Sequence, residues 1–259
     1  ALSIQPQSIG FAGIKDRLAL TSQRISIRGL LSQDHLEITH AEQFSTINEE
    51  NFFLKNIRRG KGVVANGDLR GNRFIITVRL QKALEEKQKQ NIKQELENIK
   101  QQGFWNFFSF QRFGTPRLLS HWLGLLLLKQ QYEQVMKHFI TYDSVRELPY
   151  FVELRKELLS LWSDWHSIKE RIDRFPYHFQ IERSFIDHLI EKPDDFLGAL
   201  QTMPDQIRLW LYAYDSYLFN RLLSKLIKQG DVPTELPLIT SFNPRDWEPY
   251  EDFLRGDEV

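Results

Sequence analysis

The chain has no cysteine among its 259 residues, only two methionines, and a formal net charge of zero at pH 7. Without cysteine it can form no disulfide, no thiolate metal site and no cysteine nucleophile. That absence fits a reducing compartment, and a cytoplasmic location is expected. It also rules out the zinc-deaminase signature, which needs cysteine ligands. Long apolar runs are missing too. The longest, Trp122–Leu128, is far short of the roughly 20 residues a membrane-spanning helix requires, so no membrane partner is expected. The opening Ala1-Leu2-Ser3-Ile4-Gln5-Pro6 has no basic stretch followed by an apolar one, so no signal peptide is expected. It also lacks an initiator Met, which points to a fragment or a processed product.

Several catalytic signatures are absent as well. The seven histidines show no metal-ligand spacing and no glutamate between paired histidines, which argues against zinc hydrolysis and against any metal site. No Gly-x-Ser-x-Gly elbow occurs, and no dinucleotide fingerprint follows a strand. Arg58-Arg59-Gly60-Lys61-Gly62 reads as a basic turn but lacks the glycine-lysine-hydroxyl ending of a phosphate loop. No heptad seam is visible, and a monomer is expected.

What is present is unevenly distributed charge. Residues 1–120 hold 18 Lys and Arg against 11 Asp and Glu, and the remaining residues hold 16 against 23. Residues 51–120 alone carry 14 against 5. A basic front half can meet a phosphate backbone while an acidic back half stays off it; an unevenly charged solvated surface is the plainer alternative.

Residues 9–14 read as a short strand ending at Gly13, and Arg24–Arg28 as a half-buried strand closed by Gly29. Phe74-Ile75-Ile76-Thr77-Val78 is rich in β-branched residues and reads as another strand. Residues 81–101 carry a thin apolar stripe among Lys, Gln and Glu and predict a surface helix stopped by Gly103. From Leu118 the period turns helical. One helix is expected over Ser120–Ile140, another over 150–174, and shorter ones over Phe185–Ile190 and Phe196–Leu200. A last strong helix is expected to begin at a Thr202 cap, with Pro204 and Asp205 following, and to end at Gly230. The proline-rich tail reads as mostly loop. The fold class is therefore α+β, with a mixed front half meeting a mainly helical back half.

Two segments carry chemistry. In Gly13-Ile14-Lys15-Asp16-Arg17 one carboxylate stands between two cations, which favour its ionised form. An ionised carboxylate can act as a nucleophile or as a base. A structural Asp in a charged loop is the common alternative. In residues 104–113, six aromatic rings occupy ten positions, interleaved with Asn106, Gln111 and Arg112. Sequence-specific RNA recognition stacks a splayed base on a ring and bonds its edge with polar groups. An aromatic core strand is the alternative reading. Arg70-Gly71-Asn72-Arg73 adds two cations around a glycine turn.

These segments resemble the TruD family of tRNA pseudouridine synthases. The family's Gly-x-Lys-Asp-(Lys/Arg)-x-Ala-x-Thr-x-Gln segment reads here as Gly13 through Gln23. Its Gly-Asn-x-Phe segment is Gly71-Asn72-Arg73-Phe74, and its Asn-(Tyr/Phe)-Phe-Gly-x-Gln-Arg-Phe-Gly signature is Asn106 through Gly114. Its Ala-Tyr-Gln-Ser-x-Leu-Phe-Asn helix is Ala213 through Asn220. Two positions depart: Ser109 replaces a glycine and Asp215 a glutamine, the latter read as a structural position. Neither the family's opening strand nor its closing Tyr-Ala-Thr segment is found, so the chain reads as trimmed at both ends or as a reduced form of the family.

The resemblance implies a mixed-sheet pseudouridine synthase catalytic domain over residues 1–140 and a mainly helical, TruD-specific domain over 141–259. It implies isomerisation of uridine to pseudouridine in tRNA, at position thirteen of the D-arm, without a cofactor. Asp16 would be the catalytic carboxylate. Phe108 would stack the flipped base, and Asn106 would hold the Asp16 loop or the uracil edge. Gln111 would bond the base, and Lys15, Arg17, Arg73 and Arg112 would meet phosphates or tune the carboxylate. A catalytically inactive RNA-binding homologue is the alternative.

Overall fold

The computed structural model describes residues 5–16, 19–29, 43–47, 50–54, 60–239 and 244–259. The chain divides into two compact units, residues 1–86 and 87–259.

In the first unit β1 (Ile9–Phe11) pairs antiparallel with β2 (Ile25–Ile27), Ile9 opposite Ile27 and Phe11 opposite Ile25. Both strands form where apolar alternation predicts them, though shorter. The segment after residue 60 packs along this hairpin through the Val64 N–H donating to Ser26 Oγ at 2.9 Å and the Gly67 N–H donating to the Ala12 carbonyl at 2.8 Å. A second antiparallel pair, β3 (Gln43–Ile47) and β4 (Glu50–Leu54), is also present. Phe74–Val78 forms no strand. Its apolar side chains are largely exposed, Ile75 at 87% and Ile76 at 79%. Propensity alone does not make a strand: a pleated segment needs a partner ladder and a face to bury. Arg58 and Arg59 of the predicted basic turn lie outside the described residues.

The second unit is helical. It begins with α1 (Glu86–Gln102), which buries no residue, as the thin apolar stripe predicts. The predicted helix over 120–140 is two helices, α2 (Ser120–Leu128) and α3 (Tyr132–Thr141), separated at Gln130, whose φ is +57°. The predicted helix over 150–174 is also two, α4 (Pro149–Ser160) and α5 (Trp165–Ile172). Ser163 at φ +80° breaks them, and Asp164 caps α5 by accepting the Ser167 N–H. Then follow α6 (Gln180–Glu191), α7 (Phe196–Gln201) and the long α8 (Pro204–Gln229). Thr202 does not cap α8; its hydroxyl donates to the Ala199 carbonyl at 2.7 Å, one turn back on α7. Gly230, left-handed at φ +75°, ends α8 as expected. The tail carries a further short helix, α9 (Glu251–Gly256), and is anchored by the fully buried Tyr250, whose hydroxyl donates to the Pro237 carbonyl.

The core lies where α2, α3, α4, α5, α6, α7 and α8 converge. Val135, Met136, Ile140, Leu158, Ile168, Ile172, Phe185, Ile186 and Leu189 are fully buried there. α2 and α8 share the closest packing. Gly124 of α2 sits against the Trp210 carbonyl of α8, with no room for a Cβ. Beneath the helices lies a buried ionic quartet. Arg155 donates through Nη1 to the Ile140 carbonyl at 2.7 Å and through Nε to Glu147 at 3.1 Å, and its Nη2 is 3.5 Å from Glu182. Arg117 donates to the Phe139 carbonyl at 2.6 Å and faces both glutamates. Burial, with Arg155 beside it, lowers the Arg117 guanidinium to about 10. Burial pushes the Glu182 carboxyl up, against the pull of both arginines. Two cations and two anions share one desolvated site, and no member is left uncompensated.

Among the described residues, no helix is long and apolar enough to cross a membrane.

Candidate functional site

The predicted site residues fall in both units. In the first, the backbone bends at Ala12 and Gly13 just after β1, and Gly13 does so without a positive φ. Lys15 and Asp16 follow, Asp16 exposed. Lys15 Nζ donates to Asn72 Oδ1 at 2.7 Å. This bond ties the Lys-Asp segment to the Gly-Asn-Arg-Phe segment 57 residues away, so two of the four motifs meet here. Arg73, next to Asn72, is exposed. Arg17 lies outside the described residues.

The other two motifs meet in the second unit. Residues 104–109 run without regular structure, followed by a short 3-10 turn, Phe110–Phe113. Only Phe113 of the six rings is buried; Phe104 is 76% and Phe110 65% exposed. The aromatic-core-strand alternative therefore fails, and the rings are surface features. Gly114 closes the turn at φ +82°, and its N–H donates to the Gln111 carbonyl. A side chain at 114 would be strained by that φ and would also strike Ser120. Ser109 has φ −85° and ψ 174°, extended backbone that any residue adopts, so the loss of glycine there costs no strain.

Phe108, only partly buried, is held from several sides. Its N–H donates to Asn220 Oδ1 at 2.9 Å, and its carbonyl accepts from Asn220 Nδ2 at 2.9 Å. The amide of α8 thus satisfies both backbone groups of Phe108, as a neighbouring strand would. The ring meets Phe219 edge-on, with centroids 5.5 Å apart, and the Arg112 guanidinium lies 5.1 Å from its centre. Asn106, Gln111 and Arg112 are exposed around it. Below the turn, Phe113 packs edge-on against His121, which is tilted against Tyr217 at 4.7 Å. Burial holds the His121 imidazole below its ordinary pKa, and its Nδ1 has no hydrogen-bond partner among the described residues.

Asp215 has a structural task, as expected. It is buried, and its Oδ1 accepts the Ile239 N–H at 3.1 Å, fastening the tail to α8. Burial raises its carboxyl above the usual range, partly offset by that bond and by Arg112.

Sequence reasoning missed Asn220 as a functional-site residue. It closes the fourth motif and stands 112 positions from its partner, so only the pairing of two motifs hinted at the contact. Among the described residues, no group of three His, Asp or Glu side chains is placed to hold a metal ion.

Comparison with known proteins covers the stretch that carries all four motifs. Residues 1–237 match the family model described as tRNA pseudouridine synthase D (TruD). A Methanopyrus kandleri protein named "Probable tRNA pseudouridine synthase D" is 32% identical over 240 residues, covering 92% of this chain and 55% of that protein. The "Multisubstrate pseudouridine synthase 7" of Schizosaccharomyces pombe is 29% identical over 248 residues, covering 93% of this chain and 34% of its own. A Methanosarcina mazei crystal structure described as "Putative tRNA pseudouridine synthase D (TruD)" aligns with a TM-score of 0.63 at 30% identity, over 88% of this chain and 50% of that one. The chain spans about half the length of the archaeal relatives it matches. On the extent of the family match, the chain belongs to the tRNA pseudouridine synthase D (TruD) family.

Proposed function

We propose that this chain isomerises uridine to pseudouridine in tRNA, with Asp16 as the essential carboxylate and without a cofactor. The observation that carries this reading is the family match over residues 1–237, which contains all four motif segments in order. The relatives named as tRNA pseudouridine synthases supply the substrate class. The alternative of an inactive RNA-binding homologue draws no support from these relatives, which are all named as synthases.

The reaction breaks the bond between uracil N1 and C1′, turns the base, and joins C5 to C1′. The C5 proton leaves, and N1 takes up a proton. Asp16 attacks C1′ or removes the C2′ proton; both routes need an ionised carboxylate. The target base must leave its stack, at a cost of a few kcal/mol. Stacking on Phe108 returns roughly 1–3 kcal/mol. That ring suits the task because its backbone is fixed by Asn220 and its rear by Phe219. Asn106 and Gln111 bond the uracil edge, and Lys15, Arg17, Arg73 and Arg112 meet phosphates. The modified base is the uridine at position thirteen in the D-arm.

The test is to incubate the protein with an unmodified tRNA transcript and map pseudouridine by carbodiimide labelling and reverse transcription. A new stop at position thirteen is expected. A stop elsewhere would move the target, and none at all would remove the assignment.

A further inference from the structure

Beside the held backbone of Phe108, the helical unit opens a groove of about 700 Å³. Phe107, Tyr217, Arg221, Lys225, Lys228 and Phe253 line it, and Asn220 stands at its edge. Arg221, Lys225 and Lys228 recur at i, i+4 and i+7 on α8, so one helix face presents three cations. Arg221 is fixed in place. It is 2.6 Å from Asp257 Oδ2, which also accepts the Tyr214 hydroxyl at 2.8 Å, and its guanidinium lies 4.5 Å from the Phe253 ring centre. Lys225 is only loosely paired, 3.6 Å from Asp252, with both side chains well exposed. Such a surface pair is weak and exchanges readily for another anion. Lys228 has no carboxylate partner among the described residues. Three cations therefore face two carboxylates, an excess that one phosphate neutralises. Phe107 is 42% and Tyr217 37% exposed in the same groove, the Tyr217 ring held between His121 and the Arg221 guanidinium.

Cations on one helix face beside exposed rings are what a single-stranded nucleotide needs: charge for its phosphate and a π-face for its base. We infer that this groove is a subsite for the nucleotide adjoining the target uridine, its base against Phe107 and Tyr217 and its phosphate at Lys225 and Lys228. The inference rests on the assignment of Phe108 as the stacking surface for the target. Phe107 directly precedes Phe108 in the chain, so the groove adjoins the proposed stacking ring.

The experiment measures equilibrium binding of unmodified tRNA across a salt series for the wild type, K225Q/K228Q, F107A, and K156Q as a control on the exposed face of α4. Pseudouridine formation by the wild type is measured in parallel. For the lysine pair, the slope of log affinity against log salt should fall by about 0.7 for each phosphate that is no longer neutralised. F107A should weaken binding about 5- to 150-fold with the slope kept. K156Q should match the wild type. Wild-type binding and slope in K225Q/K228Q and F107A, from a protein that forms pseudouridine, would overturn the subsite and leave the proposed function standing. A wild type that neither binds nor modifies tRNA would overturn both.

Discussion

Asn220 and Phe108 are joined by two bonds of 2.9 Å, and a one-atom change separates their contributions. In Asn220→Asp the acceptor for the Phe108 N–H remains, while the donor to its carbonyl becomes an anion facing an oxygen. Asn220→Ala removes both. A partly buried backbone group left without a partner costs about 1–3 kcal/mol. Urea denaturation should therefore show a loss of about 1–2 kcal/mol for Ala, and hydrogen exchange at the Phe108 amide should quicken. Unchanged exchange would mean that the clamp is not kept in solution. His121 offers a second test at this scale. Its folded pKa lies below the unfolded value, so the unfolded chain takes up a proton first as pH falls. Its contribution to stability is complete above the unfolded pKa and is lost as pH drops through and below about 6.5. His138 is shifted in the same direction. His121→Phe keeps a ring between Phe113 and Tyr217 and should flatten the stability profile between pH 7 and 5. An equally steep profile in the variant would assign the pH dependence elsewhere.

Helix pairing sets what the site rests on. Gly124 lets α2 approach α8, the helix that carries Asn220. In Gly124→Ala the added methyl meets the Trp210 backbone, which cannot step aside as a side-chain tip would. Overpacking of this kind costs about 1–3 kcal/mol, readable in a thermal melt. Arg155 is the counterpart for the ionic quartet. Arg155→Met takes the donor from the Ile140 carbonyl and leaves Glu147 and Glu182 sharing Arg117 as their one cation in a desolvated site, and a loss of about 3–5 kcal/mol is expected in denaturant titration. Much of this element map was legible in the sequence. The surface character of α1, the extent of α7 and the Gly230 stop all follow from apolar spacing and from punctuation by glycine. The breaks at Gln130 and Ser163 were not legible. Both residues take a positive φ without being glycine, and the residues around Gln130 are good helix formers, so tertiary packing imposes that interruption. Phe74–Val78 failed as a strand for the opposite reason: the propensity is there, but among the described residues no ladder pairs with it.

At the scale of the whole molecule, the candidate site was legible as motifs but not as geometry. The sequence placed Lys15, Asp16, Asn72, Asn106, Phe108 and Arg112 in ordered segments. It could not tell that Lys15 reaches Asn72 or that Asn220 holds Phe108, because both contacts span long stretches of chain. It left most of the rings of residues 104–113 open between core and surface, and burial resolved that in favour of the surface. Charge is arranged on the same large scale, with residues 51–120 strongly basic. The most direct measurement is tritium release from C5-tritiated uridine in unmodified tRNA, with Asp16→Asn assayed alongside. Release by the wild-type chain and none by the variant, with tRNA still bound by both, is the expected result. No release from the wild type, or equal release from Asp16→Asn, would contradict a pseudouridine synthase acting through Asp16.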